Sequence, residues 1–84
     1  MTQLNLRMLY KAETGNYPTN QSDYAGWLFR DYAIWLENKS PIDSRLLFKK
    51  ETGNEAMWFK SEANMYMYTK KYKEWMEEKY CETH

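Results

Sequence analysis

Lys11-Ala12-Glu13-Thr14-Gly15-Asn16 returns as Lys49-Lys50-Glu51-Thr52-Gly53-Asn54, and the alignment opened by this hexapeptide runs through most of the chain. Backwards at the same offset, Thr2 meets Ser40, Leu4 meets Ile42, Arg7 meets Arg45, Met8 meets Leu46, Leu9 meets Leu47 and Tyr10 meets Phe48. Forwards, after a slip of two residues, Tyr32, Trp35, Leu36, Glu37 and Lys39 meet Tyr72, Trp75, Met76, Glu77 and Lys79. The sequence therefore reads as an internal repeat, about residues 2–39 and 40–80, within a single helical domain spanning 1–84. Each copy is too short to bury a core alone, so the two must pack together.

Outward from the hexapeptides, the local signals are helical. A short helix is predicted over about 3–14, with Thr2 as N-cap and Gly15 as the left-handed C-terminal residue. Leu4, Met8, Leu9 and Ala12 follow three-and-four spacing, with Leu6 and Tyr10 widening the stripe. Tyr17 to Ser22 is a linker, because Pro18 biases Tyr17 away from helix and Asn20 or Ser22 can cap the next helix. From about Asp23 to Asn38, Tyr24, Ala25, Leu28, Phe29, Tyr32, Trp35 and Leu36 share one broad helical face, and Trp27 and Ile34 form a separate ridge. Ser40-Pro41-Ile42-Asp43 predicts a third helix: a capping Ser, Pro at the first helical position and an early acid. It ends at Gly53.

The stretch from about Glu55 to Tyr80 has neither Gly nor Pro, and as one helix it would span nearly 40 Å at about 1.5 Å per residue. Trp58, Ser61, Met65, Tyr68, Tyr72 and Trp75 fall on a heptad-like seam, leaving Phe59 and Tyr66 seven residues apart on the other side. Cys81 to His84 should fray. These elements predict an all-α fold: a compact four-helix domain, or helical bundle, made of two duplicated short-long hairpins. Leu9 and Leu47 would occupy equivalent core positions.

Composition narrows the function classes. Twelve basic residues balance twelve acidic ones, so no whole-molecule field selects nucleic acid or an anionic membrane. Four Trp and eight Tyr supply a core despite the length of 84 residues, since each such ring buries roughly 150–250 Å². The single cysteine cannot form an intramolecular disulfide, which points to a reducing cytoplasm. No basic n-region with an apolar run opens the chain, and no stretch approaches the roughly 20 apolar residues of a membrane span. A cytoplasmic protein without membrane contact is expected.

No motif carries catalysis, and no catalytic residue, cofactor or metal site is predicted. Cys81 and His84 are two ligands where zinc wants three or four. Neither Gly15 nor Gly53 follows a strand in a phosphate-loop pattern, and a helix C-terminus presents carbonyls that repel phosphate. Lys70, Lys71 and Lys73 among Tyr66, Tyr68 and Tyr72 resemble a nucleic-acid patch, but neighbouring acids weaken it. The surplus aromatics carry more weight: Trp27, Ile34, Phe59 and Tyr66, with Lys70 and Lys73 beside them, are the candidate partner-binding residues.

Tyr10-Lys11-x-Glu13-Thr14-Gly15, followed by Asp23-Tyr24-x-x-Trp27-Leu28 or Tyr32-x-x-Trp35-Leu36-Glu37, resembles a signature of very short uncharacterised bacteriophage proteins. The likeness covers one copy, and the duplication departs from the single-copy pattern. It implies a phage-encoded accessory protein acting in the host cytoplasm, a class that includes stoichiometric inhibitors of host defence or host enzymes. The sequence thus favours a non-enzymatic module that binds a protein partner or itself as a homodimer. A nucleic-acid binder using Lys70, Lys71, Lys73 and Tyr66 is the alternative.

Overall fold

The computed structural model describes residues 1–40 and 43–83. In chain order these form helix α1 (Gln3–Thr14), helix α2 (Arg30–Lys39), helix α3 (Ser44–Thr52), the antiparallel strands β1 (Met57–Lys60) and β2 (Met65–Tyr68), and helix α4 (Lys70–Thr83). The fold is α+β, which corrects the all-α bundle expected from periodicity.

The correction falls on 55–80, which is a hairpin followed by a helix. Short apolar runs fit strand and helix periods alike, and aromatic residues favour the pleated state once they can pair across it. The turn at 61–64 uses no Gly or Pro; Asn64 takes φ 50 instead, a conformation its short polar side chain tolerates. The long helix of 23–38 is also shorter than expected. It begins at Arg30, and before it lie two extended arms joined by a bridge between Thr19 and Leu28.

The same unit now appears in both copies: a helix, an antiparallel extended pair and a second helix. In the first, Phe29 N–H donates to Pro18 O at 2.8 Å and Asn20 N–H to Trp27 O at 3.2 Å. In the second, Thr69 N–H donates to Ala56 O at 3.0 Å, and Met57 pairs with Tyr68. Met57 is the residue aligned with Thr19, and Tyr68 the one aligned with Leu28.

Both first helices end alike. Gly15 (φ 77) and Gly53 (φ 74) donate N–H to Lys11 O and Lys49 O from the left-handed conformation. Their starts differ. Thr2 Oγ1 accepts from Asn5 N–H at 3.1 Å, whereas α3 is capped by Asp43, whose Oδ1 accepts from Leu46 N–H at 3.2 Å. Ser40 is not that cap, and Pro41 and Ile42 lie outside the described residues.

One core joins the copies, built from Leu6, Tyr10, Tyr32, Ala33 and Leu36 together with Phe48, Tyr68, Tyr72 and Met76. The inward stripe of α1 is Leu6 and Tyr10; Leu4 and Met8, expected inside, face solvent, and Leu9 and Leu47, expected at equivalent core positions, are only half-buried, the core positions being those of Tyr10 and Phe48. Ring contacts repeat between copies. Tyr10 meets Tyr32 and Trp35 at 5.1 and 5.3 Å between centroids, and Phe48 meets Tyr72 and Trp75 at 5.2 and 5.3 Å. Helix α4 continues through Cys81 to Thr83, where fraying was expected.

Candidate interaction site

The scaffold under the site is a pair of exchanged ion pairs. Arg7 of α1 forks onto Glu77 of α4, Nε to Oε2 at 2.8 Å and Nη2 to Oε1 at 2.7 Å, while Tyr32 of α2 donates its hydroxyl to Oε2 at 2.6 Å. The aligned residues repeat this in reverse. Arg45 of α3 forks onto Glu37 of α2 at 3.0 and 2.9 Å, and Tyr72 of α4 donates to Glu37 at 2.7 Å. Each copy thus contributes an arginine and a carboxylate, with the first copy's Arg7 held by the second copy's Glu77 and the second copy's Arg45 by the first copy's Glu37.

Tyr68 adds a further donor to Glu37 at 3.0 Å. Burial alone would raise the Glu37 carboxyl, but the Arg45, Tyr72 and Tyr68 hydrogen bonds outweigh it and hold the group below its ordinary value. Burial, then donation to a carboxylate, pushes the Tyr32 and Tyr72 hydroxyls well up. Every oxygen of both carboxylates is engaged by at least one donor, so these groups fix helices and present no open acid–base pair.

The hairpin is where the copies diverge. Because Thr69 N–H donates to Ala56 O, the levels Trp58/Met67 and Lys60/Met65 are hydrogen-bonded, and Met57/Tyr68 and Phe59/Tyr66 are not. Unbonded levels bring side chains closest, and the Phe59 and Tyr66 rings lie 5.2 Å apart, tilted by 60°. Met57, Tyr68, Phe59 and Tyr66 share one face of the ribbon. Tyr68 is buried and Met57 half-buried, but one step outward Phe59 is 49% and Tyr66 63% exposed. The apolar face runs off the edge of the core.

Trp58 (47% exposed) and Met65, on the alternate levels of the register, are exposed on the opposite face of the ribbon. Lys60 is the only charged residue in either strand. The first copy stops its ribbon instead: Asn20 Oδ1 accepts from Trp27 N–H at 2.9 Å and closes the ladder. Gly26 (φ 87) is required there, since a Cβ would collide with that same Oδ1.

Of the residues singled out from sequence, Phe59 and Tyr66 are together, as cross-strand partners rather than one helical ridge. Trp27 and Ile34 are not a ridge: Trp27 is exposed in the segment before α2, and Ile34 is half-buried against the core. Lys70 is exposed in the first turn of α4. Lys73 is half-buried and donates to Leu28 O at 2.8 Å; burial lowers its pKa. Trp58 and Met65, which heptad spacing places on a buried seam, are on the surface. Their alternation with Phe59 and Tyr66 is the signal that a strand pair was present.

A hollow of about 480 Å³ lies elsewhere, lined by Tyr10, Asn16, Tyr17, Phe29, Arg30 and Asp31. Cys81 is half-buried, which raises its thiol pKa, and His84 lies outside the described residues. Among the described residues, no group of three or more His, Cys, Asp or Glu could hold a metal ion, and no helix is long and apolar enough to cross a membrane. Comparison with protein-family models, with curated proteins and with solved structures finds no match to this chain.

Proposed function

We propose that the chain is a non-enzymatic protein-interaction module whose contact surface is the hairpin of the second copy, anchored by Phe59 and Tyr66 on one face of the ribbon, with Trp58 and Met65 exposed on the other. The observation that carries this reading is the pairing of two aromatic rings on a face that leaves the core, at the place where two otherwise matching copies differ. Conserving a scaffold while extending one loop is how a fold acquires a binding site, and rigid aromatics lose little conformational entropy on docking. The resemblance to short bacteriophage proteins makes a host-cell protein, held stoichiometrically, the partner class to test first.

The test is affinity capture from host lysate with mass spectrometry, run beside thermal melts. Phe59→Ala and Tyr66→Ala should melt close to the parent yet weaken capture, by about 2 kcal/mol or roughly 30-fold for a hot-spot residue. Trp75→Ala is the comparison, because that ring packs on Phe48 and Tyr72 at 5.3 and 6.2 Å. If the hairpin variants destabilise as Trp75→Ala does and capture normally, the pair is ordinary packing and the proposal fails.

A further inference from the structure

The hollow of about 480 Å³ falls within the roughly 300–1,000 Å³ of small-ligand sites. Three rings line it, those of Tyr10, Tyr17 and Phe29, beside the side chains of Asn16, Arg30 and Asp31. Tyr10 is buried in the core, while Tyr17 is 43% and Phe29 39% exposed. The bond from Phe29 N–H to Pro18 O holds Phe29 beside the Tyr17-Pro18 segment. Tyr17 is braced by the Tyr24 ring at 5.9 Å and by the Lys11 ammonium at 4.7 Å, neither of which lines the hollow. Both rings are thus positioned before a ligand arrives, which lowers the cost of ordering them.

The duplication shows that folding does not call for these rings. The residue aligned with Phe29 is Thr69, whose N–H bond to Ala56 O repeats that of Phe29 to Pro18 O. Thr69 also caps its helix, Oγ1 accepting from Tyr72 N–H at 3.2 Å, and Glu55, aligned with Tyr17, is paired with Lys49. Phe29 opens α2 with no side-chain capping bond, a loss of helix stability that Thr would avoid. The second copy spends this corner on its own backbone and charges; the first gives it to two part-exposed aromatics.

The polar wall of the hollow is unspent. Among the described residues, no hydrogen bond or ion pair engages the Arg30 guanidinium, the Asp31 carboxylate or the Asn16 side-chain amide. Consecutive helical residues diverge by about 100° and do not face each other, so Arg30 and Asp31 offer a donor set and an acceptor set separately to one space. Both are exposed, where ion pairing adds little, so stacking on the rings must carry the affinity. That favours a flat ligand over a zwitterion such as a free amino acid. The flat ligand needs a donor pair on one edge and an acceptor pair on another, and guanine is the nucleobase with that pattern: N1–H and N2–H, then O6 and N7.

We propose that this hollow binds the guanine base of a mononucleotide, its ring on Tyr17 and Phe29, its N1–H and N2–H donating to Asp31 and its O6 and N7 accepting from Arg30. With a formal net charge of zero the chain has no field to track a phosphate backbone, so a single nucleotide and not a strand is the ligand. None of the hairpin residues takes part, so nucleotide binding stands apart from the partner reading.

Titration calorimetry of the full chain with guanosine monophosphate, beside NMR amide shifts, tests it. Saturable binding is expected with Kd below about 1 mM, moving the signals of Tyr17, Phe29 and Asp31. Adenosine monophosphate carries the same phosphate but an acceptor at N1, which Asp31 repels, and should bind about ten-fold more weakly. Asp31→Asn should weaken the guanine nucleotide about ten-fold and leave the adenine one nearly unchanged. Phe29→Thr installs the residue that the second copy uses, so it should melt at or above the parent temperature and still lose about ten-fold or more in affinity.

No saturation by guanosine monophosphate up to about 5 mM overturns the proposal. So does equal binding of adenosine monophosphate, tighter binding of free phenylalanine, or unchanged affinity in Phe29→Thr. If Phe29→Thr does not fold, Asp31→Asn decides: a guanine preference that survives it sinks the assignment.

Discussion

Arg7 and Arg45 occupy aligned positions and make the same forked bond, yet their surroundings differ enough to separate their energetics. The Glu77 side chain is 2% exposed and that of Arg7 21%, whereas Arg45 is 50% exposed over a Glu37 that is 21% exposed. Removing Arg7 strands a carboxylate in the core; removing Arg45 leaves one that water and two tyrosines can still serve. Arg7→Met should therefore cost about 3–5 kcal/mol and Arg45→Met nearer about 1 kcal/mol, read from denaturant midpoints. Equal losses would show that burial does not set the difference. The Glu37 cluster also gives a pH dependence. Its folded carboxyl sits below the ordinary 4.5, so its contribution is present above about pH 4.5 and disappears as pH falls through the folded value. Tyr32 and Tyr72 sit above the ordinary 10.0, so stability should fall once pH exceeds about 10. Melts across pH should show both limbs, with Glu37→Gln flattening the acid one. An acid limb untouched in Glu37→Gln would contradict this assignment.

At the level of elements, the features legible in the sequence are those with a local cause. Thr2 and Gly15 bound α1, and Gly53 ends α3, because capping and a positive φ depend on neighbours in the chain. The inward face of α1 does not follow from angle, since Leu6 and Tyr10 are chosen by what α2 and α4 present to them and not by period alone. The hairpin is hidden for a related reason: Met57 to Tyr68 has no breaker, and its strand state depends on pairing Phe59 with Tyr66 and burying Tyr68. The duplication holds the clue, because Pro18 and Gly26 interrupt the first copy and an equivalent second copy must be interrupted too. Three glycine substitutions probe these elements. Gly15→Ala and Gly53→Ala meet nothing within 4 Å, so each should lose about 1 kcal/mol from positive φ alone. Gly26→Ala adds a collision with Asn20 and should lose more, with the Asn20–Trp27 closure loosened. Thermal melts giving one common loss at all three sites would contradict the role assigned to Gly26.

Across the whole molecule, two copies are locked by exchanging carboxylates, and the core rings repeat on both sides, so the scaffold is symmetric where it must be stable. The asymmetry sits in the ribbons: one is closed by Asn20, the other projects as an aromatic hairpin. The candidate site was partly legible because Phe59 and Tyr66 are apolar among charges on any secondary structure. Trp27 and Ile34 do not form the helical ridge expected of them, since that pairing needs a helix that begins before Trp27 and α2 begins at Arg30. The claim that the projecting hairpin serves recognition and not folding is tested most directly by shortening it. Replacing residues 59–66 with Asn-Gly closes a two-residue turn on the hydrogen-bonded Trp58/Met67 level, matching the point where the first copy closes at Asn20 and Trp27. Melting and capture measured on that chain should show a folded protein within a few degrees of the parent that no longer retains its partner. A chain that unfolds, or that captures as the parent does, would contradict the account.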